Sequence, residues 1–285
     1  MTSTLAAHPT ADEASAERRA GAEADRFALM VDDLRRGLSM RELWLFLGWR
    51  DVRKHYSRSI LGPFWLTLSM GVLVTGLGVL YAQIFRMEIA NYLPFLAVGF
   101  IVWGLIAGSI NGACTVFSGA ANAVRQIRLP LSVYLLQFMW TQLITFGHNF
   151  LIYVAVVLIF GIRPGIGILA FLPALALILL NGFFLSMILG PLCARFRDIP
   201  MIVQSVVQVA FFMTPILWSA ELIPERAVFV GLNPFHHFME IVRQPLLGGV
   251  ASPVSWLVCL VLTALVGVVA SLFFARYRAR IAYWA

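Results

Sequence analysis

Six long apolar segments separated by short polar loops dominate this sequence of 285 residues. Each segment reaches or approaches the ~20 residues that a helix needs to cross a hydrocarbon core about 30 Å thick. Because lipid offers no hydrogen-bond partners to backbone amides, spans of this length must be helical. The sequence therefore predicts an all-α membrane protein with six spans, at residues 60–85, 92–117, 131–160, 166–192, 199–218 and 254–274.

Positive charge is distributed unequally between the loops on the two sides of these spans. If the N-terminus is cytoplasmic, all but four of the 21 Lys and Arg residues fall on the cytoplasmic side. The four exceptions are Arg86, Arg163, Arg226 and Arg243. Because cytoplasmic loops are enriched in basic residues, we expect both termini to be cytoplasmic. The net charge of +7 is then explained by residues that flank membrane spans, and it indicates membrane lipids as partners instead of nucleic acid.

The chain outside the spans has two distinct parts on the N-terminal side. Residues 1–37 are rich in Ala and in charged residues, which predicts a disordered cytoplasmic segment. Residues 38–58 combine Trp44 and Trp49 with basic residues, which predicts an amphipathic helix in the membrane interface. A soluble helix packed on another domain would have a similar composition. The six-span domain then covers residues 59–277, and residues 278–285 form a cytoplasmic C-terminus.

Residues 219–253 interrupt the pattern of long spans. Four Pro residues and several charged residues divide this part into short apolar pieces, which predicts short helices of re-entrant type before the last span. Glu240 and Arg243 are three residues apart, a spacing at which two helical side chains can form an ion pair. Small residues also recur every four residues in three spans, which predicts close helix packing. These rows are Gly104, Gly108 and Gly112; Gly182, Ser186 and Gly190; and Thr67, Gly71 and Thr75.

Several catalytic signatures are absent from the sequence. The only lysine is Lys54, and the residue directly before it is Arg53 instead of glycine, so a phosphate-binding loop of the Gly-x-x-x-x-Gly-Lys type is impossible. The acidic residues after residue 62 lie in loops or at span ends, without the clustered carboxylates that a metal-dependent transferase would need. We therefore expect neither an ATPase nor another enzyme in this chain, and no metal or cofactor.

A group of loop motifs carries a family resemblance. These motifs are the segment that leads into the first span through Leu61-Gly62-Pro63-Phe64-Trp65, the basic loop Arg125-Gln126-Ile127-Arg128-Leu129-Pro130, the loop Arg195-Phe196-Arg197-Asp198-Ile199-Pro200, and Asn233-Pro234-Phe235. Together with the six-span layout they resemble the permease subunit of ABC exporters that move lipid-linked polysaccharides, such as O-antigen, capsule and teichoic acid. The resemblance covers residues 38–277.

The resemblance implies a homodimer of this chain in a bacterial inner membrane, together with two copies of a separate ATPase that binds ATP and Mg. It also implies that cytoplasmic loops of the permease insert into the ATPase and transmit its closure. In this chain the coupling residues would be Arg125, Gln126, Arg128, Arg195, Arg197 and Asp198, with Arg50, Arg53 and Lys54 beside them at the membrane surface. Anchoring by positive charge alone is the alternative explanation of these residues.

A conduit for a sugar chain needs aromatic faces and hydrogen-bonding groups, and two spans supply both. The candidates are Gln137, Thr141, Thr145, His148 and Asn149 in the third span, and Gln204, Gln208, Phe211, Phe212 and Trp218 in the fifth. Tyr81 and Trp103 are weaker candidates. Polar side chains within spans usually face protein or water, so hydrogen bonding between helices remains the alternative for both stripes.

The sequence thus predicts a transport subunit for export of an O-antigen type polysaccharide. A permease for capsule, teichoic acid, a lipid or a drug stays open as an alternative within transport. A membrane scaffold of a glycan-assembly complex stays open as an alternative of another class.

Overall fold

The computed structural model describes residues 11–55, 62, 64–219 and 227–285. In chain order the helices are α1 (Ala11–Ser39), α2 (Arg41–His55), α3 (Phe64–Ile84), α4 (Ile89–Ala113), α5 (Val116–Gly119), α6 (Ala121–Gln126), α7 (Leu131–Phe160), α8 (Phe171–Arg195), α9 (Ile199–Met213), α10 (Ala227–Gly231), α11 (Pro234–Leu246), α12 (Pro253–Tyr277) and α13 (Ile281–Trp284). A 3₁₀ turn at Ile166–Ala170 leads into α8, and another at Arg278–Arg280 follows α12. No strand occurs within the described ranges, which confirms the predicted all-α class.

Five of these helices are long and apolar enough to cross a membrane, namely α3, α4, α7, α8 with its leading turn, and α12. The fifth predicted span is shorter than expected, because α9 has 15 residues and is about 22 Å long. The helix ends where Thr214 is followed by Pro215, whose ring and missing amide disfavour continuation. The six predicted spans therefore correspond to five helices of full spanning length and one shorter apolar helix.

The central element of the bundle is α4, which contacts α3, α7, α8, α9 and α11. Two thirds of its most apolar stretch is buried, against 11% for α3. Glycines explain how closely its neighbours approach, because a Cβ on Gly112 would lie 2.5 Å from the Phe138 ring of α7. A Cβ on Gly190 of α8 would lie 2.9 Å from the Phe117 ring. Two of the three predicted small-residue rows thus pack within the chain, whereas a Cβ on Gly71 of the third would meet nothing within 4 Å.

The N-terminal segment differs from its prediction. Residues 11–39 form α1, which packs on α7 and α12, and Met30 and Asp33 are buried there. The helix differs from the prediction of disorder, and burial of Met30 and Asp33 favours ordering of the second half of α1 against its entropy cost. Residues 1–10 lie outside the described residues.

The predicted interfacial helix corresponds to α2, which packs along the first turns of α7. Trp44 and Trp140 make an edge-to-face contact with ring centroids 6.5 Å apart, and Val52 is buried. Phe46 and Trp49 remain exposed on the outer side of α2, as expected of side chains at an interface. The motif residues 56–61 and Pro63, which lead from α2 into α3, lie outside the described residues.

We expect Gly48→Val to destabilise the protein by about 2 kcal/mol, because a tightly packed contact tolerates added volume poorly. A Cβ on Gly48 would lie 2.8 Å from the Trp140 ring and 2.9 Å from the Gln137 carbonyl oxygen. Denaturant unfolding in detergent micelles measures the change. Gly147→Val is the matched control in α7, because nothing lies within 4 Å of its Cβ position, and it should change stability little. Equal effects of the two variants would contradict the α2–α7 packing.

Short helices precede the last span, as predicted. Helix α11 packs against α4, α8 and α12 and buries Met239, Ile241 and Val242. The suggested Glu240–Arg243 ion pair is wrong. Glu240 accepts hydrogen bonds from the Ser252 backbone amide and the Ser255 hydroxyl at the start of α12, whereas Arg243 turns into the bundle towards α4 and the end of α9.

Candidate functional site

One end of the helix bundle gathers the basic loops. This end, called the basic face here, consists of residues 121–130, the loop 196–198 and residues 276–285. Val124 and Ile281 are buried beneath it in one apolar cluster with Phe117, Leu135 and Phe274. The cluster fixes the short helix α6 and the C-terminal helix α13 to the ends of the long helices.

A buried carboxylate on α1 joins three parts of the chain beside the basic face. Asp33 accepts hydrogen bonds from the backbone amides of Leu131 (3.1 Å) and Ser132 (2.9 Å), the first two residues of α7. It also forms an ion pair of 2.9 Å with Arg278 after α12, and the Ser132 hydroxyl donates to its backbone carbonyl at 2.7 Å. A negative charge at a helix N-terminus is stabilised by the free amides and by the helix dipole. Asp33 therefore holds α1, the start of α7 and the segment after α12 together.

The C-terminal helix connects the two predicted coupling loops. Helix α13 packs against both α6 and α8. The Arg195 guanidinium lies 5.0 Å from the centroid of the Trp284 ring of α13, within the range of a cation–π interaction. Contacts of α13 therefore link α6 to the end of α8.

The predicted coupling residues are all accessible, those of α6 and the α8–α9 loop at the basic face and the three of α2 beside α7. Arg125, Gln126 and Arg128 are exposed on α6 and the segment after it, directly beside buried Val124. Arg195, Arg197 and Asp198 are exposed at the end of α8 and in the loop that leads to α9. Arg50, Arg53 and Lys54 are exposed on α2, whose Asp51 accepts a hydrogen bond from the Gln137 side chain of α7. The structure thus brings α6 and the α8–α9 loop together through α13 and places the three α2 residues beside α7.

The predicted stripe on α9 is open within this chain. Gln204 and Gln208 are exposed, and Phe212 is 61% exposed. These residues recur every four positions, so they share one face of the helix. The opposite side of α9 packs on the bundle through Val207 and Ala210. This open face, called the α9 face here, is polar and aromatic at once.

The other aromatic candidates near α9 lie mainly in packed positions. Phe211 contacts Phe100 and Trp103 of α4, with centroids 5.7 and 5.8 Å apart, and Trp103 in turn contacts Phe235 of α11. Trp103 is only 7% exposed, so it belongs to the interior of this conformation. Trp218 donates to the Phe212 carbonyl at 3.4 Å, and Tyr81 stacks on Phe85 near the far end of α3.

The predicted stripe on α7 makes its contacts within the chain. Thr141 and Thr145 donate to carbonyls one turn earlier, and Thr141 also reaches the Gly48 carbonyl of α2 at 3.4 Å. A His148 ring nitrogen lies 2.9 Å from the Ile144 carbonyl, and Thr67 of α3 donates to the His148 carbonyl. Asn149 is buried. These contacts favour the packing alternative for α7, whereas the α9 face retains accessible groups.

Side chains from α4 and α11 bind the segment that follows α9. The Tyr92 hydroxyl donates to the Leu217 carbonyl at 2.6 Å, and Arg243 donates to the Pro215 carbonyl at 2.8 Å. The Arg243 guanidinium also lies 3.9 Å from the centroid of the Phe95 ring, and a Cβ on Gly99 would meet it at 2.6 Å. The buried Arg243 guanidinium therefore links α11 to α4 and to the segment that follows α9.

Asp33 and Arg243 are the functional candidates that the sequence analysis missed. The sequence does contain a signal for Asp33. Phe27, Met30 and Leu34 recur at intervals of three or four residues, which indicates an apolar helix face around it. No local signal distinguishes Arg243 from a loop arginine, since its partners lie on α4 and after α9.

Comparisons with known proteins place the sequence in one family. The model of a family described as ABC-2 type transporter matches residues 42–247. The chain is 26% identical over 214 residues to the O-antigen export system permease protein RfbA of Myxococcus xanthus, which covers 74% of this chain and 82% of that protein. It is 25% identical over 203 residues to the protein of the same name in Klebsiella pneumoniae, which covers 70% and 78% of the two chains.

Proposed function

Because the chain belongs to the ABC-2 type transporter family, we propose that it is the permease subunit of an ATP-driven exporter for a lipid-linked polysaccharide of O-antigen type. The observation that carries this proposal is the similarity, over more than two thirds of each chain, to two curated O-antigen export permeases. The membrane would be the inner membrane of a bacterium, with the basic face and both termini in the cytoplasm. The chain itself performs transport and no covalent chemistry.

The energy for transport would come from a separate ATPase that binds the basic face. The sequence has no phosphate-binding loop of its own, and α6 and the α8–α9 loop present exposed basic groups in one place. ATP binding would close two ATPase subunits against these loops. Asp33 would transmit the displacement to α1 and α7, and α13 would keep the two loops in register.

The path for the sugar chain would run along the α9 face and be closed by a second copy of this chain. Glutamine side chains can hydrogen-bond to sugar hydroxyls, and the Phe212 ring offers a flat apolar face to pyranose C–H groups. The side of α3 around Gly71 and Thr75 is open, since nothing lies within 4 Å of the Gly71 Cβ position and Thr75 is exposed. It supplies a surface on which another helix can pack closely. The contacts of Tyr92 and Arg243 with the segment after α9 would keep the outer end closed at rest.

We expect Phe212→Ala or Gln208→Leu to slow export by roughly two- to tenfold, because each removes one weak contact with a sliding sugar chain. Both side chains are exposed, so folding and ATPase binding should be unchanged. Leu260→Ala is the control, because this side chain is also exposed but lies on α12 instead of α9. The rate at which polysaccharide appears at the cell surface measures the effect. Normal export by both α9 variants would assign the α9 face to packing.

The ATPase partner is tested by purifying this chain from native membranes and identifying bound proteins by mass spectrometry. The proposal predicts an ABC ATPase in equal amount to the permease. A glycosyltransferase in stoichiometric amount without an ATPase would instead favour the scaffold alternative.

A further inference from the structure

A groove between α1 and α12 opens beside the basic face. A cavity of about 440 Å³ lies there, lined on one side by Arg26 and Phe27 of α1 and on the other by Val269, Leu272 and Phe273 of α12. A second cavity of about 280 Å³ continues from it past Arg276 and Tyr277 to Arg280. The two cavities share Arg26 and Arg276, so they form one continuous groove with an apolar part and a basic part.

The apolar and basic residues that line the groove lie at different depths along α12. Val269 lies seven residues before Arg276, which places it about 10 Å deeper along the helix axis. Leu272 is 63% and Val269 49% exposed, so the deep part of the groove is an open apolar surface. Arg26, Arg276 and Arg280 are exposed around the shallow part.

We propose that this groove binds an anionic phospholipid of the cytoplasmic leaflet. Its phosphate would lie among Arg26, Arg276 and Arg280, and one acyl chain would lie along Val269, Leu272 and Phe273. Guanidinium groups are well suited to phosphate oxygens, and basic pockets between membrane helices on the cytoplasmic side bind acidic headgroups. The distance between the two parts fits a molecule whose charge is at the membrane surface and whose chain enters the core.

The bound lipid would stabilise the contact between α1 and α12. Arg278, two residues after Arg276, forms the ion pair with Asp33, and Asp33 binds the start of α7. A lipid that bridges Arg26 and Arg276 would therefore reinforce the connection between α1 and the coupling loops. This role and the assignment to the cytoplasmic leaflet depend on the proposed function, but the binding itself does not.

Native mass spectrometry of the purified full chain tests the binding directly. The detergent-solubilised protein is incubated with phosphatidylglycerol, cardiolipin or phosphatidylethanolamine, and the lipid-bound fraction is measured. We expect binding of the two anionic lipids and at least about tenfold weaker binding of the zwitterionic one. Arg26→Gln with Arg276→Gln and Arg280→Gln should weaken anionic lipid binding at least about tenfold.

Two further variants distinguish specific lipid binding in the groove from nonspecific attraction of anionic lipids to a basic protein. Replacing Arg35, Arg41 and Arg125 by Gln removes the same charge from other exposed positions and should leave lipid binding unchanged. Val269→Trp fills the apolar part of the groove, keeps all the arginines, and should weaken binding. Equal losses in the two arginine triples, or equal binding of all three lipids, would overturn the proposal. Retention of a lipid diphosphate by the protein from native membranes, with no phospholipid bound, would also overturn it.

Discussion

Replacing Asp33 with Ala is expected to destabilise the protein by about 3 kcal/mol and to abolish export. The buried carboxylate accepts from the Leu131 and Ser132 amides and pairs with Arg278. Its loss leaves two amides of α7 and one largely buried guanidinium without their charged partner, a change that typically costs several kcal/mol. Denaturant unfolding in detergent and the amount of surface polysaccharide measure the two effects.

The neighbouring residue provides a matched control. Asp32 forms an ion pair with Arg36 at 2.9 Å, but the side chains are 47% and 68% exposed. Solvent screens such surface pairs, so Asp32→Ala should change the free energy of unfolding by less than about 0.5 kcal/mol. If the two alanine variants were equally stable, the role assigned to Asp33 in holding α1 to α7 would be contradicted.

Reversing the charge of the α6 loop is expected to produce the largest loss of transport without a loss of fold. Arg125→Glu with Arg128→Glu should reduce the permease-dependent stimulation of the ATPase at least about tenfold, because like charges placed across an interface cost several kcal/mol. Both arginines are exposed, so the protein should remain folded. ATP hydrolysis by the reconstituted complex, compared with the ATPase alone, measures the coupling.

Arg35→Glu with Arg41→Glu is the corresponding control, since it reverses two exposed charges outside the proposed loops. This control should retain most of the ATPase stimulation. Unchanged stimulation and export in the α6 variant would remove the coupling assignment and leave Arg125 and Arg128 as positive-inside anchors.

The long helices could be predicted from the sequence because their cause is local. The third span, predicted at residues 131–160, coincides with α7, and the last span differs from α12 by a few residues at each end. Apolar length alone determines that such segments are helical in lipid. The fifth span was predicted too long because apolar composition continues past Thr214, whereas the backbone ends its helix before Pro215.

The parts that could not be predicted depend on contacts between distant residues. Asp33 and Leu131 are separated by 98 positions, and Asp33 and Arg278 by 245, so no local pattern shows that these residues meet. Trp103 could be identified as aromatic and mid-span, but its burial against Phe211 and Phe235 depends on where α9 and α11 pack. For the α9 face, the four-residue spacing was enough to predict that Gln204, Gln208 and Phe212 lie on one side of the helix. That this side is exposed depends on the packing of Val207 and Ala210 against the bundle.

The most direct test of the export function is to delete the gene and to locate the polysaccharide in the cell. We expect the polymer to disappear from the cell surface and to accumulate, still linked to its lipid, on the cytoplasmic side of the inner membrane. Expression of the wild-type chain should restore surface polymer, whereas the Arg125→Glu, Arg128→Glu variant should not. Normal amounts of polymer at the surface of the deletion strain, or loss of its synthesis without cytoplasmic accumulation, would contradict the assignment of this chain as the export permease.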